Sequence, residues 1–268
     1  MNKLLKASSV NKKGVMVNED KDLDFCAQNL SGGHICPILK ISCVTGMNMD
    51  KLVRFIHQLK NRGLENQQLG SIDDPVHFDI HEKFSVTGSG LVFSGTVASG
   101  TVKLGMTLLC GPDKFKQFKS VVVKGIHVNR VHKEYCYAGN FATLNVKAAN
   151  KKDELSKRDF RKGMCLLDPK LKPVSTWEFE AEVVILHHST TIKHGYQAVV
   201  HCGVIRQAVS IESINKELLR TGDKGLIRFR FLYSPEYIKP ESTILLREGR
   251  TKILGRVTTV FTDAENNK

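Results

Sequence analysis

Glycine recurs at Gly90, Gly95, Gly100 and Gly105 in VTGSGLVFSGTVASGTVKLGMTLLCGP, residues 86–112, between short runs of Val, Leu, Thr and Phe. That spacing suits neither a helix nor one long strand, whose side chains repeat with different periods. Glycines placed at turns or where backbones approach closely, separated by β-branched and aromatic residues, describe short strands closing into a small barrel.

The neighbouring sequence extends this reading. HFDIHEKFSV, GLVFSGTV, TVKLGMTLLC, KSVVVKGIHV and NFATLNVK are strand signals separated by Gly or polar turns, so residues 75–169 are expected to form one all-β barrel. DPKLKPVST, residues 168–176, carries two prolines and reads as a linker. Residues 176–262 then hold a second set: WEFEAEVVIL, YQAVVHCGV, RQAVSIES, KGLIRFRFL and STILLREGRTKILGRVTTVF. Phe179, Ala181, Val183 and Ile185 alternate with Glu178, Glu180 and Glu182, as where one sheet face meets a core and the other meets water. The expected fold class is mainly β, with two tandem β-barrels.

Residues 1–60 differ. ICPILKI, residues 35–41, is extended and apolar, Thr45-Gly46 breaks it, and NMDKLVRFIHQLK follows as a helix. Met49, Leu52, Val53, Ile56 and Leu59 would share its apolar face, with Asn48 at the N-cap and Asp50 favourable at the positive helix end. This is one αβ corner, and alone it does not bury both faces of a parallel strand. The first 34 residues, with few large apolar side chains, are expected to supply no further sheet. Residues 61–74 read as a linker and 263–268 as a disordered tail.

At 268 residues and 41% hydrophobic composition the chain has room for two cores. No apolar run approaches the ~18 residues of a membrane span, and MNKLLKASSVNKKG lacks the apolar core of a signal peptide, so a cytoplasmic protein with no membrane partner is expected. Seven scattered cysteines without a C-x-x-C pair argue against a disulfide framework or zinc ribbon, leaving reduced thiols mostly packed in strands. A net charge of +13 favours a polyanionic partner such as RNA, although a lysine-rich composition alone would also produce it.

No G-x-x-x-x-G-K-[ST] phosphate loop occurs in the sequence. Asn11-Lys12-Lys13-Gly14 has Gly14 where a guanine-reading N-K-x-D needs its carboxylate. His187, His188, His194, His201 and Cys202 are metal-ligand types, but the adjacent His201 and Cys202 would project to opposite faces of a strand. No catalytic residue and no metal ligand is assigned. The run KAANKKDELSKRDFRK, residues 147–162, carries Lys147, Lys151, Lys152, Lys157, Arg158, Arg161 and Lys162. It reads either as an RNA-contacting loop or as a solvated hairpin tip, with Phe160 its one aromatic residue.

A strand-loop-helix end, a polar linker, a glycine-patterned barrel and a second barrel stand in the order of the translational GTPases. The motifs ICPILKISCVTGMNMDKL, RKGMCLLDPKLKP, WEFEAEVVILHHSTTIKHGYQAVVHCGVIRQ and LLREGRTKILGRV resemble the eukaryotic family of GTP-binding proteins 1 and 2, relatives of elongation factor Tu and elongation factor 1-alpha. The resemblance covers nearly the whole chain. It implies the end of a GTP-binding domain in residues 1–60, followed by the family's two barrel domains. It makes Ser42, Cys43 and Val44 the last guanine-specificity loop, with GTP and Mg²⁺ as the full-length family's cofactors. It implies tRNA and the ribosome, or other RNA, as partners, together with the missing part of a GTP-binding domain, and no DNA. Without phosphate loop and switch regions the chain alone is expected neither to hold GTP and Mg²⁺ nor to hydrolyse GTP, as a fragment of such a GTPase would not. The alternative is a non-catalytic double barrel that binds RNA or protein without GTP.

Overall fold

The computed structural model describes residues 12–59, 70–150 and 156–262. The chain divides into two compact units, Met1–Gln68 and Leu69–Lys268.

The first unit corrects the expectation that its opening residues supply no sheet. β1 (Lys13–Met16) and β2 (Ile35–Ile38) pair in parallel, Lys13 opposite Ile35 and Met16 opposite Ile38, and a helix, Asp20–Asn29, connects them. Only four residues long and opening Lys-Gly, β1 is too short for its alternation to show. The N–H groups of Glu19 and Asn18 both donate to the Asp22 carboxylate at 3.0 Å, starting the helix and holding that carboxyl below its usual range. Leu23 and Cys26, one turn apart, are fully buried with Val17 beneath Val15, Ile35, Leu39 and Phe55.

The second helix, Met49–Gln58, is rotated from the expected face: Phe55 packs on that core, whereas Val53, Ile56 and Leu59 are exposed. Lys51, Arg54 and Gln58 explain the rotation, because they lie on one stripe and bond Asn18 O, Asp20 and Asp24 of the first helix and its entry. Asn48 does occupy the N-cap, with φ +56°, but its Nδ2 donates to Lys40 O at 2.8 Å instead of its side chain capping an N–H.

In the second unit the first barrel comprises β3 (His77–Val86), β4 (Gly90–Ser99), β6 (Thr107–Gly111), β7 (Lys119–Val128), β10 (Phe141–Ala148) and β11 (Cys165–Leu167). They close in the order β10-β4-β3-β11-β6-β7, with β7 pairing back to β10. The short strands β5 (Thr101–Lys103) and β9 (Tyr135–Tyr137) pair with each other, and β8 (Val131–Lys133) extends β7. The glycine pattern has two distinct causes. A Cβ on Gly95 would sit 1.8 Å from Asp79 O across the β3–β4 pair, whereas Gly100 turns the chain at φ +78°.

The second barrel comprises β12 (Glu178–His187), β13 (Gln197–Cys202), β14 (Ile205–Ile214), β15 (Lys224–Phe231), β16 (Thr243–Glu248) and β17 (Thr251–Phe261). Its closed order is β12-β15-β14-β13-β16-β17, with β17 pairing to β12. Phe179, Ala181, Val183 and Ile185 are fully buried, and Phe179 stacks on Phe229 with centroids 5.3 Å apart. Glu178, expected on the wet face, is instead buried. Arg228 and Arg230 from β15 reach its two carboxylate oxygens at 2.7 Å each, and Arg228 also lies 4.0 Å over the Phe261 ring.

The proline-bearing segment between the barrels is partly built into the second. Asp168 caps a 3-10 turn at Pro169–Leu171, and buried Thr176 exchanges two 2.9 Å backbone hydrogen bonds with Glu236. His77 and Phe118 of the first barrel both meet the Tyr237 ring edge-on, and the Ser175 hydroxyl donates to Lys116 O at 3.3 Å. All seven cysteines are free thiols; Cys110, Cys136, Cys165 and Cys202 are buried in strands, and burial pushes Cys136 and Cys202 up to about 11.

Candidate functional site

Ser42, Cys43 and Val44 lie in the loop leaving the carboxyl end of β2, ahead of the helix Met49–Gln58. In open parallel sheets that end of a strand is where ligands are received. The loop is tied to itself: Ser42 N–H donates to Met47 O at 3.1 Å, and Thr45 N–H donates to Ser42 Oγ at 3.2 Å. Cys43 and Val44 are left exposed, Val44 at 97%. The turn is thus short and self-braced, and it presents the Val44 side chain outward.

The basic run resolves into several environments. Lys151 and Lys152 lie outside the described residues. Lys147 is exposed at the end of β10. Lys157–Asp159 forms a 3-10 turn capped by Ser156, whose Oγ accepts from Arg158 N–H at 3.3 Å, so this part of the run is an ordered corner. Lys83 donates to the carbonyls of Lys157 and Phe160, and Lys162 pairs with Glu82. Lys119 reaches Asp159 at 3.0 Å, and this bond holds the Asp159 carboxyl below its usual range.

Arg161 turns into the seam between the barrels. Its two terminal nitrogens donate to the Glu236 carboxylate at 2.8 Å each, and one also donates to Pro235 O at 2.8 Å. Glu236 is 1% exposed and accepts a further bond, 2.6 Å, from Gln207 Nε2. Burial pushes the Glu236 carboxyl up, while Arg161 and Gln207 oppose that rise. The run therefore offers outward charge at Lys147, Lys157 and Arg158, a paired charge at Lys162 and an interface charge at Arg161.

Sequence reasoning passed over the loop opposite this corner, GPDKFKQFK, residues 111–119. Asp113 Oδ1 accepts from the N–H groups of Phe115 and Gln117 at 2.8 Å each, and this brace holds Phe115 80% exposed. Loop and corner border a half-open cavity of about 290 Å³ lined by both. The available signal was a phenylalanine set among lysines in a turn opened by Gly-Pro-Asp. Of the histidine group, His201 is half-buried and Cys202 points into the barrel core.

Comparison with known proteins places this architecture. Residues 178–246 match the family model GTP-eEF1A C-terminal domain-like, which covers most of the second barrel. GTP-binding protein 1 of Xenopus laevis is 39% identical over 266 residues, 99% of this chain and 39% of that protein. Over nearly its whole length the chain is similar to translation-elongation-factor-like GTP-binding proteins. GTP-binding protein 2 of Mus musculus is 34% identical over 262 residues, 97% of this chain and 42% of the relative. Elongation factor 1-alpha of Cenarchaeum symbiosum (strain A) is 26% identical over 218 residues, 72% and 47% of the two chains. The chain thus spans about two fifths of the length of the GTP-binding protein relatives. Among the described residues no helix is long and apolar enough to cross a membrane.

Proposed function

We propose that this chain supplies the barrel portion of a translation-factor-like GTPase in the cytoplasm, the part that docks on RNA of the translation apparatus, tRNA or ribosome, when GTP is bound. The observation that carries this reading is the tandem of two closed six-stranded barrels whose second member matches the elongation-factor carboxy-terminal model. In such a device the γ-phosphate orders the nucleotide domain and hydrolysis releases it, so that two arrangements alternate around the barrels. Ser42, Cys43 and Val44 take the base side of the nucleotide. Phosphates and Mg²⁺ need groups that this sequence does not contain in a recognisable motif, and the polypeptide by itself hydrolyses no GTP.

The reading is tested by titrating the purified chain with labelled tRNA at two salt concentrations and assaying GTP turnover in parallel. Binding that weakens as salt rises, with no turnover, is the expected result. Absence of tRNA binding at low salt overturns the RNA part. GTP turnover that persists through repurification overturns the account of the nucleotide site.

A further inference from the structure

We infer that the cavity between the loop Gly111–Lys119 and the corner Arg158–Met164 is a single-nucleotide pocket for single-stranded RNA, with the base on Phe115 and the adjoining phosphate on Lys114 and Arg158. The inference rests on the reading of this chain as RNA-contacting and locates one contact on it.

Three features of the site support that occupant. First, the floor and rim differ in chemistry. Phe160 and Met164 are 2% and 3% exposed, forming an apolar base, while Lys114, Lys119, Arg158 and Arg161 supply cations around it. Second, both lining carboxylates are already engaged by the protein. Asp113 accepts two loop N–H groups and Asp159 accepts Lys119, whereas Lys114 and Arg158 are in no ion pair among the described residues. The unneutralised charge facing a ligand is therefore positive. Third, Phe115 is 80% exposed on a turn braced by Asp113, so its ring face is presented to solvent at little conformational cost. An exposed aromatic face beside unpaired cations is the pairing that stacks a base and neutralises its phosphate.

The size agrees. About 290 Å³ is of the size that one nucleotide unit would fill.

The experiment titrates a fluorescein-labelled adenosine decamer ribonucleotide with the full 268-residue chain at several salt concentrations. Phe115→Ala is expected to weaken binding about tenfold while leaving the salt dependence unchanged, and Phe115→Trp to retain it. Lys114→Gln and Arg158→Gln are each expected to lower the slope of log affinity against log salt by about 0.7, the single-strand value per phosphate. Tyr233→Ala, at a 71% exposed aromatic on the second barrel, is expected to change nothing. If the wild-type chain binds the decamer and Phe115→Ala binds equally well, the pocket is wrong and the broader RNA reading stands. If the wild type does not bind at low salt, both fall. If a hexaglutamate peptide binds in a Phe115-dependent way where RNA does not, the occupant is an acidic peptide and the inference is overturned.

Discussion

The parallel strand pair of the first unit and the barrels of the second face the same requirement, covering sheet faces and edges, and meet it very unequally. Val17, Leu23 and Cys26 are the only members of the first unit's buried cluster among the described residues, against nineteen and twenty residues in the two barrel cores. Each barrel pairs its sheet back on itself, removing the open edges that expose unpaired N–H and C=O groups. Among the described residues the β1–β2 pair has no third strand on either edge, and Val44, Val53, Ile56 and Leu59 are exposed. Parallel strands need cover on both faces. The difference shows that the barrels' hydrophobic pattern is satisfied by their own closure, while that of the αβ unit exceeds what its described residues bury.

The strongest way to break this comparison is to remove a central barrel side chain. Phe179 is fully buried between Phe229 and Phe231, so Phe179→Ala should destabilise the second unit by about 3–5 kcal/mol. Trp177, the single tryptophan, packs against the same core and reports the transition by fluorescence in a urea titration. Leu23→Ala, in the first unit, should leave that transition in place. A shift of the tryptophan transition by Leu23→Ala comparable to that caused by Phe179→Ala would show that the two units unfold together.

How legible each region was follows from the same physics. Long strands that bury one face, such as Phe179 to Ile185, declare themselves by alternation, and the glycine pattern marked both the turn at Gly100 and the close approach at Gly95. The three-residue strands β5, β8, β9 and β11 are too short to alternate visibly, and β1 is scarcely longer. The helix Asp20–Asn29 buries only Leu23 and Cys26, which leaves almost no periodic signal. Glu178 looked solvated because Arg228 and Arg230, its partners, lie some fifty positions along the chain. For the same reason the cavity was hidden: its walls come from residues 113–119 and 158–164, and only the folded barrel juxtaposes them.

A second perturbation asks whether the self-sufficiency of the second unit extends to the seam between its barrels. Arg161→Met strands the buried Glu236 carboxylate, which keeps the hydrogen bond from Gln207. Arg161 is 28% exposed at its side chain and water reaches part of the site, so the loss is set at about 2–3 kcal/mol, below the usual figure for breaking a buried pair. The pH dependence has a definite sign. Burial raises the folded-state pKa of Glu236, so the linked stability is fully present below its ordinary value of 4.5 and declines as pH rises through the folded value. Removing Arg161 takes away a lowering influence and extends that decline upward. Thermal denaturation should therefore show the variant further below wild type at pH 8 than at pH 5. An equal deficit at both would mean that Glu236 does not carry the effect.

The smallest expected effect sharpens the comparison from the other side. Ile56 is 57% exposed on the second helix, so Ile56→Ser removes little buried surface and should change stability by no more than about 0.5 kcal/mol. Phe55, its neighbour, packs on Leu23 and Cys26, and Phe55→Ala should loosen the unit measurably. Amide hydrogen exchange over residues 13–58 distinguishes the two, because local opening is read directly where the core is thin. Faster exchange in Phe55→Ala with none in Ile56→Ser matches a helix whose apolar surface is divided between a used and an unused face. Equal acceleration by both would mean that Ile56 is covered in solution, and that the αβ unit is better closed than its exposed residues indicate.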